Sequence, residues 1–256
     1  MKKEIAILAV LTLLVFMAMP AYAQPFDMGQ PLAGEEAYPD GSTTDNARFM
    51  LTYSFPQIVP VTEEDAVINT FYQEAVDDLV QMTAPMLYDE VAESIGQDVT
   101  AYLDVSCQVT ANTDDFFSVL VTQEQFMGAS VGQMVQGNVF ARKGDGADGI
   151  VTLPYVLGFS PDDEVSATSV IDTVYNLVWE IIVEQMKAGS VDYFEELTQE
   201  NLFAEFYPES DFYLDEQGNI VFYIQPAALA SAAAGVLTFP FSPAEIMSEM
   251  PPAAAN

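Results

Sequence analysis

Apolar residues recur along this chain in two rhythms, one of period two and one near 3.6, and the changes of rhythm mark out its elements. The first clear period-two stretch is Phe49, Leu51, Tyr53 and Phe55, which predicts a half-buried strand ending at Pro56. After Thr62, placed to cap a helix over Glu63, Glu64 and Asp65, the apolar positions move to Ile68, Phe71, Tyr72, Ala75, Val76 and Leu79. That spacing lines one face of an amphipathic helix. Pro85 ends or kinks it, and Gly96 closes a second piece.

Alternation returns at Val99, Ala101, Leu103, Val105, Cys107 and Val109, and a second strand covers Phe116 to Thr122. The short polar side chains of Asn112, Thr113, Asp114 and Asp115 suit a tight turn between them, so the pair reads as a hairpin. A further pair is expected from Asn138 to Arg142 and from Ile150 to Val156, around a glycine-rich turn at Gly144 to Gly149. Ser160-Pro161 then opens a long helix with Asp162, Asp163 and Glu164 at its positive end. Val170, Ile171, Val174, Val178, Ile181 and Ile182 form its buried stripe, and Gly189 stops it.

The last β unit runs from Asp211 to Leu214, turns at Asp215 to Asn219 and returns through Ile220 to Ile224. A strand near Val236 to Phe239 precedes a short helix capped by Ser242-Pro243-Ala244-Glu245. Ala227 to Ala234 fits either a short helical turn or an irregular crossover. The order predicts an α+β fold of two subdomains, in which antiparallel sheets are each packed by a long helix. The expected divisions are a signal peptide at 1–23, a flexible acidic linker at 24–47, subdomains at 48–126 and 127–250, and a tail at 251–256. The linker is inferred from its mix of Gln, Pro, Gly, Asp, Glu, Ser and Thr without apolar periodicity.

The signal is inferred from Lys2 and Lys3, the 15-residue apolar run Ile5 to Met19, and the small-x-small site Ala21-Tyr22-Ala23. That run is short of the roughly 20 residues of a bilayer span, which makes an uncleaved anchor the alternative. The expected location is secreted or periplasmic, with no membrane span after cleavage before Gln24. Cys107 is the single cysteine, so no intrachain disulfide can form, and its place on the apolar face of a strand makes it a structural thiol.

Charge changes the picture most. The 256 residues carry 39 Asp and Glu against six Lys and Arg, with no histidine and a net charge of -33. Removing the signal, which carries +1 from Lys2, Lys3 and Glu4, leaves -34, with Arg48, Arg142, Lys143 and Lys187 as the cations. Nucleic acid and anionic membrane surfaces would be repelled. The absent imidazole excludes Ser-His-Asp and Cys-His activation and His-ligated zinc hydrolysis. No Ser-x-x-Lys, Gly-x-Ser-x-Gly or Gly-x-x-x-x-Gly-Lys motif occurs. With so many acids, a close carboxylate pair has no diagnostic value for a glycosidase. Asp145 and Asp148 suggest calcium, but their spacing fails the 12-residue loop pattern and a hairpin turn explains them as well. Trp179 reads as a core residue rather than a sugar platform, and Ser118 as a strand residue. No catalytic residue, cofactor site or metal site is therefore assigned.

Taken in order, Tyr53-Ser54-Phe55-Pro56, Phe116-Phe117-Ser118-Val119 and Gly149 to Leu153 are landmarks of an extracytoplasmic family. The closing block is the most specific: Phe212-Tyr213-Leu214, the Gln217-Gly218-Asn219 turn, Ile220 to Ile224, Pro226, Leu229 and Gly235. Over roughly residues 48 to 250 the chain resembles the ectodomain of the lysozyme-sensing anti-sigma factor, also found as the non-catalytic module ahead of a peptidoglycan deacetylase. The resemblance implies a binding role at the bacterial envelope, in a free-standing exported version without the sigma-binding segment, membrane anchor or deacetylase domain. Tyr223, Pro226, Ser231 and Gly235 are its candidate ligand-binding residues. Lysozyme-binding members carry a proline and a tyrosine before the last glycine, where this chain has Ala230-Ser231-Ala232-Ala233-Ala234.

The expectation is a non-enzymatic binding protein whose partner is a basic protein such as lysozyme, drawn in by the acidic field. An accessory cell-wall glycan-binding module is the alternative, an acidic hydrolase a distant one. The acidity also has a plain reading, a solvated surface suited to high salt.

Overall fold

The computed structural model describes residues 25–63, 65–92, 96, 99–142, 149–160 and 162–251. The expected signal, the cleavage point at Gln24, the Asp145 and Asp148 turn and the extreme tail lie outside the described residues. The fold is α+β, as the rhythm of the sequence predicts. A five-stranded sheet is ordered β1-β2-β3-β4-β5, from β1 (Leu32–Tyr38), β2 (Phe49–Phe55), β3 (Ala101–Asn112), β4 (Phe116–Phe126) and β5 (Val131–Ala141). A three-stranded sheet follows, from β6 (Phe212–Leu214), β7 (Ile220–Ile224) and β8 (Leu237–Phe241).

The helical segment between β2 and β3 begins as α1 (Ala66–Asp78), whose period puts Ile68, Tyr72 and Val76 into the core. Thr62 and Asp65 exchange side-chain bonds at its entry: the Asp65 N–H donates to Thr62 Oγ1, and the Thr62 N–H donates to Asp65 Oδ2. Pro85 does not end the helix. The chain loosens into one π-turn over Leu79–Thr83 and continues as α2 (Ala84–Ala92), the accommodation expected where a proline cannot donate. This crossover makes β2 and β3 parallel, with Leu51 opposite Leu103 and Tyr53 opposite Val105. The first sheet is therefore mixed, not wholly antiparallel.

Three further expectations give way to pairing across the sheet. The supposed linker is largely structured: Leu32–Tyr38 pairs antiparallel with β2, and Met28 bridges Ile58. Phe26 is buried edge-on against Phe117, under the Arg142 guanidinium 4.0 Å from its ring centroid. The expected hairpin of Asn138–Arg142 with Ile150–Val156 reduces to a bridge at Phe140 and Ile150, since residues 131–137 extend β5 along the whole of β4. Leu153–Val156 turns instead into the short helix α3, opened by Pro154. The expected division at 126/127 consequently falls in the β4–β5 turn, between two strands of one sheet.

Over the second sheet lies α4 (Glu164–Ala188), capped by the Asp163 carboxylate on the Ser166 N–H and closed by Gly189 at φ 62°. Val170, Thr173, Val174, Val178 and Ile182 are its buried positions, while Ile171 and Ile181 sit at the margin of the stripe. Trp179 is partly buried against this core. Beyond it come α5 (Gln199–Glu205), with a reciprocal Thr198–Asn201 cap, and α6 (Pro243–Glu249), with the expected Ser242–Glu245 capping box. All five residues of β7 are buried, because α4 covers one face of the strand and the first sheet approaches the other. Each such large apolar side chain contributes about 1.5–3 kcal/mol relative to exposure.

Candidate functional site

The two sheets meet along β5. Ser118, fully buried in β4, accepts the Leu214 N–H at 2.9 Å, and Thr110 donates to the same oxygen. Gly137 takes part because nothing larger fits: a Cβ there would stand 1.8 Å from the Phe212 carbonyl oxygen. The Gly137 N–H donates to the Tyr223 hydroxyl at 2.9 Å. Gln225 completes the seam with its side-chain amide, accepting from the Val135 N–H at 3.0 Å and donating to the Val135 carbonyl at 2.7 Å.

Beside this seam opens a cleft of about 360 Å³, bounded by Met134–Val139, Ile150–Thr152, Glu209–Phe212, Tyr223 and Gln225. Among the described residues that line it, Glu209 and Asp211 are acidic and none is basic. Asp211 is held by its turn, where Oδ2 accepts the Tyr207 N–H at 2.7 Å. Burial raises its carboxyl from 3.8 to about 6, the Tyr207 bond opposes that rise, and the Glu209 charge adds to it. Burial likewise pushes the Tyr223 phenol up to about 12, so it stays protonated. The cleft therefore offers carboxylates in a partly dry setting, where a cation is held more strongly than in water.

Next to its acidic wall stands an aromatic shelf. Tyr175 meets Phe203 edge-on at 4.4 Å between centroids and donates its hydroxyl to the Phe206 carbonyl. Phe203 and Tyr207 are 45% and 52% exposed, which leaves their rings free to meet a partner. The charges of Glu209, Asp211 and Asp172 all act on the Tyr175 phenol and raise its pKa, after burial, the larger cause.

Of the residues singled out in the sequence, Tyr223 lines the cleft but is 2% exposed, its hydroxyl committed to Gly137. Pro226, Ser231 and Gly235 lie outside the cleft lining. Ser231 donates its backbone N–H to the Asp192 carbonyl and opens a 3₁₀ turn at Ala232–Ala234, and Gly235 follows at φ 68° with open space beside it. The four do not form one surface with the cleft. Glu209, Asp211 and Gln225, none of them a candidate site residue in the sequence, do line it. A partial signal for Glu209 and Asp211 exists in Tyr207-Pro208-Glu209-Ser210-Asp211, a turn-forming run with two acids beside one aromatic residue.

No family model and no curated protein matches the chain. Among solved structures it is similar to a DUF3298 family protein from Pseudomonas aeruginosa PAO1. The two are 10% identical over 90% of this chain and 95% of that one, with a TM-score of 0.55. It is also similar to a member of the same family from Bacteroides fragilis NCTC 9343, 18% identical over 89% and 94% of the two chains, with a TM-score of 0.49. At such identities the first likeness shows a shared fold. Among the described residues no helix is long and apolar enough to cross a membrane.

Proposed function

We propose that this chain is an exported, non-enzymatic binding protein of the cell envelope whose partner is a basic protein of the lysozyme kind. The observation that carries the reading is the acidic cleft between the sheets, walled by Glu209 and Asp211 with no basic residue among the described lining residues, in a chain of charge -33. The field brings a cationic partner in quickly, and the cleft gives its charge a partly desolvated place to rest. The sequence resemblance to a lysozyme-sensing ectodomain supports the same reading. Without the proline and tyrosine near Ser231 to Ala233, binding depends on charge more than on an inserted aromatic anchor.

The test is biosensor binding of a basic lysozyme and of an unrelated basic protein at rising salt. Saturable binding that weakens steeply from low to physiological salt is expected, since exposed charges are screened beyond about 8 Å there. Absence of binding to either at low salt would overturn the reading. A cell-wall glycan is the second reading, favoured by the exposed Phe203 and Tyr207 rings. It predicts capture of cell-wall polysaccharide that persists in high salt.

A further inference from the structure

The free edges of the two sheets are guarded unequally. Edge strands present unpaired backbone groups, and proteins protect them with charges, prolines, short length or a covering segment. β1 carries Glu35 and Glu36, both exposed, and β8 has five residues with Pro240 among them. β6 is three residues long. β5 has eleven residues, Val131-Gly-Gln-Met-Val-Gln-Gly-Asn-Val-Phe-Ala, with no charge and no proline, although the chain is so strongly acidic. Val131 and Met134 are 57% and 56% exposed.

Among the described residues, backbone covers only part of the outward edge of β5. At its end the Val151 N–H donates to the Val139 carbonyl, and the Ala141 N–H donates to the Gly149 carbonyl. Earlier along the strand the Tyr223 hydroxyl meets the Gly137 N–H, and the Gln225 amide meets both groups of Val135. An antiparallel neighbour would exchange the same two bonds with Val135. A side-chain amide thus stands where a strand's peptide group would be, and a side chain can rotate away. Residues 131–133 lie beyond these contacts.

We infer that β5 is a docking edge to which an extended, lysine- or arginine-bearing segment of a partner protein adds as a further strand, displacing the Gln225 amide. The inference rests on the cationic-partner reading and names its binding mode. Backbone bonds along Val131 to Val135 hold the segment, stopping short of Gly137, whose N–H stays with the Tyr223 hydroxyl, and its cations meet Glu209 and Asp211 across the cleft. A second copy of this chain is a poor occupant of the edge, because each copy repels the other with its charge of -33.

The experiment is titration of the full chain with a ten-residue peptide of alternating lysine and threonine. The companion peptide is N-methylated at alternate amides, keeping the charge and losing one hydrogen-bonding edge. The inference predicts saturable binding of the unmodified peptide, a loss of about tenfold or more on N-methylation, and slowed amide exchange within Val131 to Val135. Gln225→Ala removes the competing amide and should tighten binding several-fold, and Gln133→Pro on the open edge should weaken it. Equal binding of the two peptides would overturn strand addition while leaving the cationic reading in place. Failure of both to bind at low salt would overturn the cationic reading as well. A chain that dimerises, and whose dimer is lost in Gln133→Pro, would assign the edge to a second copy and contradict the inference.

Discussion

Ser118 and Leu214 join the two sheets: the Leu214 N–H donates to Ser118 Oγ at 2.9 Å, at a point where Ser118 is fully buried. The same oxygen accepts from Thr110. Ser118→Ala would leave a buried amide and a buried hydroxyl without their acceptor, a cost of about 1–3 kcal/mol for each unsatisfied group. The expected result is a lower urea midpoint at an unchanged slope. A midpoint equal to wild type would mean that the sheets are held together elsewhere.

Gly137 should tolerate no side chain. Its Cβ would collide with the Phe212 backbone, and relief requires β5 and β6 to separate. Gly137→Ala is expected to destabilise the chain by about 3 kcal/mol or more, at the upper end of overpacking costs. Thermal unfolding checks this, with Gly132→Ala as the control, since its nearest neighbour is the flexible Gln125 side chain at 3.5 Å.

The long helices were legible because one face of each is buried, so burial is written into the spacing of Ile68, Tyr72 and Val76 or of Val170, Val174 and Val178. The closing β unit was legible from the Asp215 to Asn219 turn between two apolar runs, since β7 itself is buried on both faces. The Ser242 cap is local and shows in the sequence, whereas the long helix expected to open at Ser160-Pro161 is capped three residues later, by Asp163. β1 was illegible because only Tyr38 of its seven residues is buried, and its order comes from pairing with β2. The parallel β2–β3 register follows from the crossover, which short-range periodicity does not encode. The cleft was hidden for a related reason: Val135, Asp211 and Gln225 come from distant segments and matter only once β5 lies against the second sheet. The aromatic shelf had a local sign, Phe203 to Tyr207, but its exposure depends on how α5 sits on α4.

Asp211 gives stability a pH dependence. Its folded-state pKa of about 6 lies above the ordinary 3.8, so the folded state favours the protonated form. This contribution is complete below about pH 4 and is lost as pH rises through about 6. Asp211→Asn, which keeps an oxygen for the Tyr207 N–H, should flatten the urea midpoint between pH 4 and 6 relative to wild type. Parallel pH profiles for the two chains would contradict the burial of this carboxyl.

Cys107 sits half-buried on the inner side of β3, and burial pushes its thiol up to about 12. The reactive thiolate is therefore scarce at neutral pH. A thiol reagent should label it slowly in the native chain and rapidly after denaturation. Equal rates would place the residue on the surface.

In the proposed function a cation of the partner rests against Glu209 and Asp211. Affinity for a basic lysozyme at physiological salt, measured for wild type and for the Glu209→Gln/Asp211→Asn double variant, tests it most directly. The variant removes only two charges from a chain of -33, which leaves the general field nearly intact. A loss of about tenfold or more is expected, the scale of a locally desolvated charge contact rather than of a screened one. Unchanged affinity would show that the field acts as a whole and that the cleft is not where the partner binds.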